Sequence, residues 1–162
     1  MVSMKRADEG MGFLLQYENV AWYEDGCVRI LDRRIYPVKT EFVVCRSYTE
    51  VAQAIADMVT QSAGPYTAAA MGMALAAYEV RQKSIDEIRE YLKKAEYALS
   101  HARPTTSEKM QLVTGGAMEA AEKCLQEGRA GQQLVDALQE YAFNYINDTY
   151  KKYMPTGRYL AE

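Results

Sequence analysis

One stretch constrains this chain more than any other. From Thr67 to Val80 the sequence is almost entirely small and apolar: Ala68, Ala69, Ala70, Met71, Gly72, Met73, Ala74, Leu75, Ala76 and Ala77 follow one another without a charge. Ala and Met favour the helix. A helix that is apolar on every side has no face to give to water, so other elements must surround it. Its small side chains let neighbouring backbones come close. The chain has 162 residues, about the length of one domain, so nearly all of it is needed for that enclosure.

The residues before this stretch are strand-like from Leu14 to about Cys45. Leu15, Tyr17, Val20 and Trp22 lead to Glu24-Asp25-Gly26, and Cys27, Val28, Ile30 and Leu31 follow. Asp-Gly between β-favouring runs is a strong hairpin signal, because the turn needs positive φ. Ile35-Tyr36 before Pro37 is another short run, and Phe42 to Cys45 reads as a further strand. Residues 1–13 are polar and are expected to be a mobile lead-in.

Everything after Arg46 reads as helix. Ser47-Tyr48-Thr49-Glu50, Ser84-Ile85-Asp86-Glu87 and Thr105-Thr106-Ser107-Glu108 each have capping-box spacing. Gly64-Pro65 marks a loop and a helix start. Gly115-Gly116 is a weak point in the fourth helix, and Gly128 ends it. The last helix is expected from about Gly131 to Tyr153, stopped by Pro155. Strands first and helices after predict an α+β fold, a small N-terminal antiparallel sheet followed by a bundle of about five helices. There is none of the alternation that builds a parallel nucleotide-binding sheet.

Composition excludes several function classes. The net charge is −3, so direct nucleic-acid binding is not expected. No apolar run approaches the ~20 residues of a membrane span, and the first residues lack the apolar core of a signal peptide; a cytoplasmic protein is expected. Cys27, Cys45 and Cys124 are dispersed and odd in number, which argues against disulfides and a zinc site. His101 is the single histidine, and a helix-end role fits it better than pairing with Ser100 or Ser107 as a nucleophile's base. Asp32-Arg33-Arg34 reads as a solvated turn, Cys45 and Cys124 as buried structural thiols. The Tyr141, Phe143, Tyr145, Tyr150 and Tyr153 series fits core packing or a partner surface. Arg103 stands just before a helix start, where free N–H groups make an anion site possible, although spacing alone favours an arginine that stacks on the sheet or pairs with a surface carboxylate.

Three stretches, taken in order, carry a resemblance. Val20 to Pro37, with Trp22 before a Gly turn and Leu31-Asp32 after it, is similar to the opening hairpin of methylthioribose-1-phosphate isomerases. Tyr48 to Val59 followed by Ala68 to Ala76 looks like that family's helix, Arg-Gly-Ala-Pro loop and Ala-rich helix. Arg103-Pro104-Thr105 resembles its Arg-Pro-Thr motif. The wider family includes ribose-1,5-bisphosphate isomerases and the regulatory subunits of translation initiation factor 2B. The resemblance covers most of the chain from Leu14.

It implies an N-terminal domain that helps hold an aldose 1-phosphate, a methionine-salvage substrate, against a second, Rossmann-like domain whose Cys and Asp convert it to a ketose phosphate. Arg103 and Thr105, with Ala63 and Gly64 of the loop, are then the candidates for binding the substrate phosphate. Two departures stand out. The loop here reads Thr60-Gln61-Ser62-Ala63-Gly64-Pro65, without the family's Arg. Tyr145 to Glu162 resembles the interdomain helix, after which the catalytic domain is absent. The expectation is a non-catalytic, cofactor-free domain acting by sugar-phosphate or partner binding, as a homo-oligomer or beside a subunit that supplies the missing domain. Half of a split isomerase and an unrelated helical interaction domain are the alternatives.

Overall fold

The computed structural model describes residues 6–161, with side chains through Lys152. Strands β1 (Ala21–Glu24), β2 (Cys27–Leu31) and β3 (Phe42–Cys45) form one antiparallel sheet in the order β1-β2-β3. Glu24 faces Cys27 across Asp25 and Gly26, whose φ values are 47° and 82°. This is the two-residue turn that Asp-Gly favours. Ala21, Tyr23, Val28, Ile30 and Cys45 point into the core, while Trp22, Arg29 and Val44 stand in line on the outer face. Upstream of Ala21 the strand expectation fails. Phe13–Leu15 and Tyr17–Asn19 are 3-10 turns, because Tyr17 alone turns inward and its neighbours cover the sheet without pairing to it. Ile35 and Tyr36 are also turn residues, both N–H groups closing back on the Asp32 carbonyl.

Five helices follow: α1 (Tyr48–Ala56), α2 (Gly64–Glu79), α3 (Ile85–Ser100), α4 (Ser107–Gln126) and α5 (Gln132–Ala161). The α+β order is the expected one. In α2 every residue from Thr67 to Ala77 is buried, and α1, α3, α4, α5, β1 and β2 all pack on it. A Cβ at Gly72 would sit 3.1 Å from Leu99 and 3.2 Å from Val51, so this glycine sets how closely α3 and α1 approach. Ser84 and Glu87 form the reciprocal capping box on α3. Ser47 caps α1 through the Glu50 N–H at 3.2 Å, although Glu50 reaches back to the Arg46 N–H, at 2.6 Å, one residue further than a closed box requires.

Three helix expectations are corrected. Thr105 does not open a capped helix: Pro104–Thr106 is a 3-10 turn, and α4 begins at Ser107 with no side-chain cap. The Thr106 and Ser107 hydroxyls donate instead to the Arg103 and Pro104 carbonyls. Gly115-Gly116 does not weaken α4. The helix runs through it, and Gly116 makes room for Tyr141, whose Oη donates to the Val113 carbonyl at 2.7 Å. Pro155 does not stop α5, which continues to Ala161 at the cost of the hydrogen bond a proline cannot donate. Gly128 ends α4 as expected, with φ at 74°. Tyr141, Phe143, Tyr145 and Tyr150 pack against the core; the side chain of Tyr153 lies outside the described residues.

Within the expected lead-in, Arg6 pairs with Asp8 and Glu18, and the Ala7 N–H reaches Asn147 of α5. The last is a contact over 140 positions, which local patterning cannot disclose.

Two tests follow from this packing. Gly116→Ala would place a methyl 2.2 Å from Tyr141 Oη; displacing that ring and its hydrogen bond should cost about 1–3 kcal/mol in urea unfolding. Gly115→Ala meets only Glu96 Oε1 at 3.8 Å and should be neutral or stabilising by up to ~1 kcal/mol through helix propensity. The second test concerns acid. Burial works to raise the Asp8 pKa, but the Arg6 and Tyr17 hydrogen bonds outweigh it and hold the group below its ordinary 3.8. Arg6 holds Glu18 below its ordinary 4.5. Folded-state values that are depressed give stability that is whole above the unfolded values and lost as pH falls below them. Arg6→Ala should therefore lower stability at pH 7 and flatten its decline below about pH 4.5, read by urea midpoints across that range.

Candidate functional site

Arg103 precedes a proline, which holds its backbone extended, at φ −130° and ψ 117°, the region such a residue prefers. Its side chain turns back onto the segment joining α1 to α2. Nε donates to the Ile55 carbonyl at 2.8 Å and Nη2 to the Thr60 carbonyl at 2.6 Å. The segment between them is under constraint. Met58 and Ser62 have φ of 60° and 61°, a region side-chain-bearing residues seldom enter. The Arg33 N–H donates to the Val59 carbonyl at 2.7 Å from the other side. Arg103 and the Arg33 backbone thus clamp the loop. Among the described residues Arg103 Nη1 has no acceptor.

The loop delivers the chain to Gly64. A Cβ there would lie 1.8 Å from Thr60 Oγ1, so the first residue of α2 must be glycine for the buried Thr60 to sit beside it. Ala63 is exposed, and no side chain caps α2. The first turn of α4 lies alongside: Lys109 Nζ is 4.5 Å from the centre of the Tyr66 ring. One end of the bundle therefore gathers two helix N-termini without side-chain caps, Arg103 and Lys109. The other end is closed. There α1 and α3 start on capping serines, and Glu79 takes both the Tyr48 N–H, at 2.7 Å, and the Tyr91 hydroxyl, at 2.6 Å. Unpaired N–H groups and the helix dipole give an open N-terminus its affinity for anions.

Of the four sequence-derived candidates, Arg103 and Ala63 fall at this open end, whereas Gly64 is buried there with its N–H donating to the Gln61 carbonyl at 3.0 Å and is not open to a ligand. Thr105 is exposed in the turn next to Arg103. Lys109 and Tyr66 were missed. The basic residue in a first helical turn was visible, but its juxtaposition with α2 depends on how α4 crosses it.

Other candidates resolve into structure. His101 stacks on Tyr97 with ring centres 4.1 Å apart. Its Nδ1 is 2.9 Å from the Tyr97 carbonyl and 2.9 Å from Ser100 Oγ, which itself donates to that carbonyl. A ring nitrogen facing a carbonyl carries the proton, so this histidine terminates a helix and is no base for Ser100. Burial pushes the Cys45 thiol up to about 11 and also raises Cys124, the opposite of an activated nucleophile. Asp32 is buried and held by Arg34. Among the described residues no three His, Cys, Asp or Glu side chains gather for a metal, and no helix is long and apolar enough to cross a membrane. At the closed end a recess of about 580 Å³ lies between the hairpin and α5. Glu24, Asp25 and Asp136 line it without a basic side chain, so it disfavours anions.

No protein-family model matches the chain. A putative methylthioribose-1-phosphate isomerase from Archaeoglobus fulgidus is 30% identical over 142 residues, 87% of this chain and 40% of that protein. The methylthioribose-1-phosphate isomerase of Thermosipho melanesiensis is 28% identical over 149 residues, 91% of this chain and 41% of that protein. Among solved structures, the delta subunit of initiation factor eIF-2B from A. fulgidus matches with a TM-score of 0.62 at 30% identity, over 83% of this chain and 36% of that one. The chain belongs to the methylthioribose-1-phosphate isomerase and initiation factor 2B-like family, as an N-terminal domain. The methylthioribose-1-phosphate isomerase of Pyrococcus horikoshii OT3, at 24% identity and a TM-score of 0.64, shares the fold. The chain spans about two fifths of the length of the curated relatives it matches.

In this family member the Arg-Pro-Thr arginine is a clamp on the α1–α2 loop. Arg103→Ala strands two backbone carbonyls and should cost about 1–3 kcal/mol in urea unfolding, with faster amide exchange from Asp57 to Thr60. Arg103→Lys should recover only part of this, because one ammonium cannot reproduce the fork.

Proposed function

We propose that this chain binds a phosphate-bearing ligand of the sugar-phosphate class at the open end of the bundle, and that it does not catalyse isomerisation alone. The observation that carries the reading is the convergence of the α2 and α4 N-termini, neither with a side-chain cap, beside an Arg103 whose Nη1 has no acceptor. Lys109 adds a second positive charge at the rim. A phosphate placed there would accept from backbone N–H groups and from Arg103 in a charge-assisted bond. The absent loop arginine at Thr60–Pro65 makes this cradle weaker than a two-arginine site.

The relatives' name for their substrate supplies the class, an aldose 1-phosphate. The aldose-to-ketose step also needs groups to move hydrogen between the two reacting carbons. The thiols of Cys45 and Cys124 are buried and raised in pKa, and His101 Nδ1 is turned onto the Tyr97 carbonyl. In this reading the chain's own residues bind and orient the phosphate, while a second domain or a partner subunit carries the chemistry. The cytoplasm, where free thiols such as Cys27, Cys45 and Cys124 persist, is the setting that fits.

Titrating the purified chain with ribose 1-phosphate by calorimetry should give a dissociation constant of roughly 1 mM, weakening with added salt. Lys109→Gln, which leaves the loop clamp intact, should weaken it about threefold or more, whereas Asp136→Asn at the closed end should leave it unchanged. Equal affinity in wild type, Lys109→Gln and Arg103→Ala would remove the site. Turnover of methylthioribose 1-phosphate by the chain alone would overturn the non-catalytic half of the reading.

A further inference from the structure

Residues 6 to 8 close a circuit between the two ends of the chain. The Arg6 guanidinium forks onto two carboxylates, with Nε 2.8 Å from Asp8 Oδ1 and Nη2 2.6 Å from Glu18 Oε2. Nη1 adds a second bond to Glu18, and Nη2 a second to Asp8. The same guanidinium lies over two rings, 4.8 Å from the centre of Tyr17 and 5.7 Å from that of Trp22. Asp8 Oδ2 accepts the Tyr17 N–H at 2.8 Å. The circuit then crosses to α5. The Ala7 N–H and the Tyr17 hydroxyl both donate to Asn147 Oδ1, at 2.8 and 2.6 Å. The Tyr17 ring meets Phe143 and Tyr150 edge-on at 5.9 and 4.8 Å.

The two halves of α5 are held by different forces. Leu134, Val135, Leu138, Ala142 and Ile146 are fully or almost fully buried in the core, so the first half is bound by apolar burial. Further along, Asn147 accepts from Ala7 and Tyr17, and the Tyr150 ring packs on Tyr17 and the core. At the centre of this second attachment Tyr17, Asp8 and Asn147 are 0, 4 and 1% exposed. At its outer edge the Arg6 and Glu18 side chains are each 36% exposed, where water and salt compete with the ion pair. A buried lock is therefore fastened by a clasp that solvent can reach.

We propose that Arg6–Asp8 is a releasable strap: fastened, it docks the second half of α5 beside the sheet; released, it frees that half and uncovers the aromatic surface of Tyr17, Trp22, Phe143 and Tyr150. Opening the Arg6 fork removes the cation over the rings and loosens the Ala7 and Tyr17 bonds to Asn147. The strap couples the N-terminal segment to the direction of the long helix, and it stands independently of the phosphate reading because none of its hydrogen bonds involves Arg103 or Lys109.

Hydrogen exchange by mass spectrometry on the full chain tests this, with Trp22 fluorescence as a second reading because it is the only tryptophan. In Arg6→Ala, peptides covering 143–152 should speed up about tenfold more than those of α2 and α3, which change only with the lowered global stability. Tyr17→Phe, which removes only the hydroxyl bonded to Asn147, should give a smaller rise confined to the same peptides. The wild type in about 1 M salt should shift toward the Arg6→Ala pattern and toward redder emission. Unchanged exchange over 143–152 in both variants would overturn the strap. A rise spread evenly over all helices would equally overturn it, since that is loss of global stability.

Discussion

The burial of α2 is the constraint on which the rest depends. A helix with apolar residues on all sides is stable only when enclosed, and each buried side chain contributes on the order of 1–3 kcal/mol when it leaves water. Enclosure needs more than one layer. The hairpin covers one side, α1 and α3 a second, α4 and α5 the remainder. Short side chains make this feasible: at Gly72 the neighbouring helices come within van der Waals contact of the α2 backbone, which a larger residue would forbid.

Enclosing one helix with short connections sorts the helix ends. The closed end collects the starts of α1 and α3 and the finish of α2. Serines and Glu79 satisfy the backbone groups there, and the hairpin and the start of α5 lie on the same side. The opposite end collects the starts of α2 and α4, and no side chain is spent on capping either. An uncapped start normally costs about 1 kcal/mol relative to a Ser or Asp cap. Two such starts lie side by side with Arg103 and Lys109, and Glu108 stands in the first turn of α4 beside them. The proposed anion site would offset the local stability given up there. The left-handed Met58 and Ser62 lie in the same place, and strain of this kind persists only where surrounding bonds enforce it. Arg103 and Arg33 provide that enforcement.

Much of this was legible before the structure. The buried central helix, the Asp-Gly hairpin, the Ser84 box and the Gly128 stop depend on residues a few positions apart, and each formed as expected. The failures share a cause. Leu15 to Val20 alternates well enough for a strand, yet only Val20 makes a backbone bond to β2, and Tyr17 is drawn inward by Asn147, 130 residues away. Gly115-Gly116 looks like a flaw until Tyr141 is seen to need the space. Thr105 has the spacing of a cap, but Pro104 tightens the chain into a 3-10 turn first. At the site, Arg103 was found through its motif, while its two carbonyl partners at Ile55 and Thr60 and its neighbour Lys109 depend on tertiary placement.

The clamp formed by Arg103 bears on how the proposed phosphate site would be built. An arginine free in solution offers five N–H donors, and a phosphate gains most when two of them arrive in parallel. Here Nε and Nη2 are engaged by backbone carbonyls at 2.8 and 2.6 Å, so the fork facing those carbonyls is closed to a ligand and approach must come from the Nη1 side. The arginine thereby loses freedom it would otherwise have to lose on binding, which favours a preorganised contact over a strong one. A loop that supplied a second arginine would complete a two-sided clamp. In this chain Ser62 and Ala63 occupy that loop, and the balance moves from charge toward backbone N–H groups and helix dipoles. In the proposed reading such a cradle would hold a phosphate through backbone N–H groups, helix dipoles and one side of Arg103, and other residues would have to close over its exposed side.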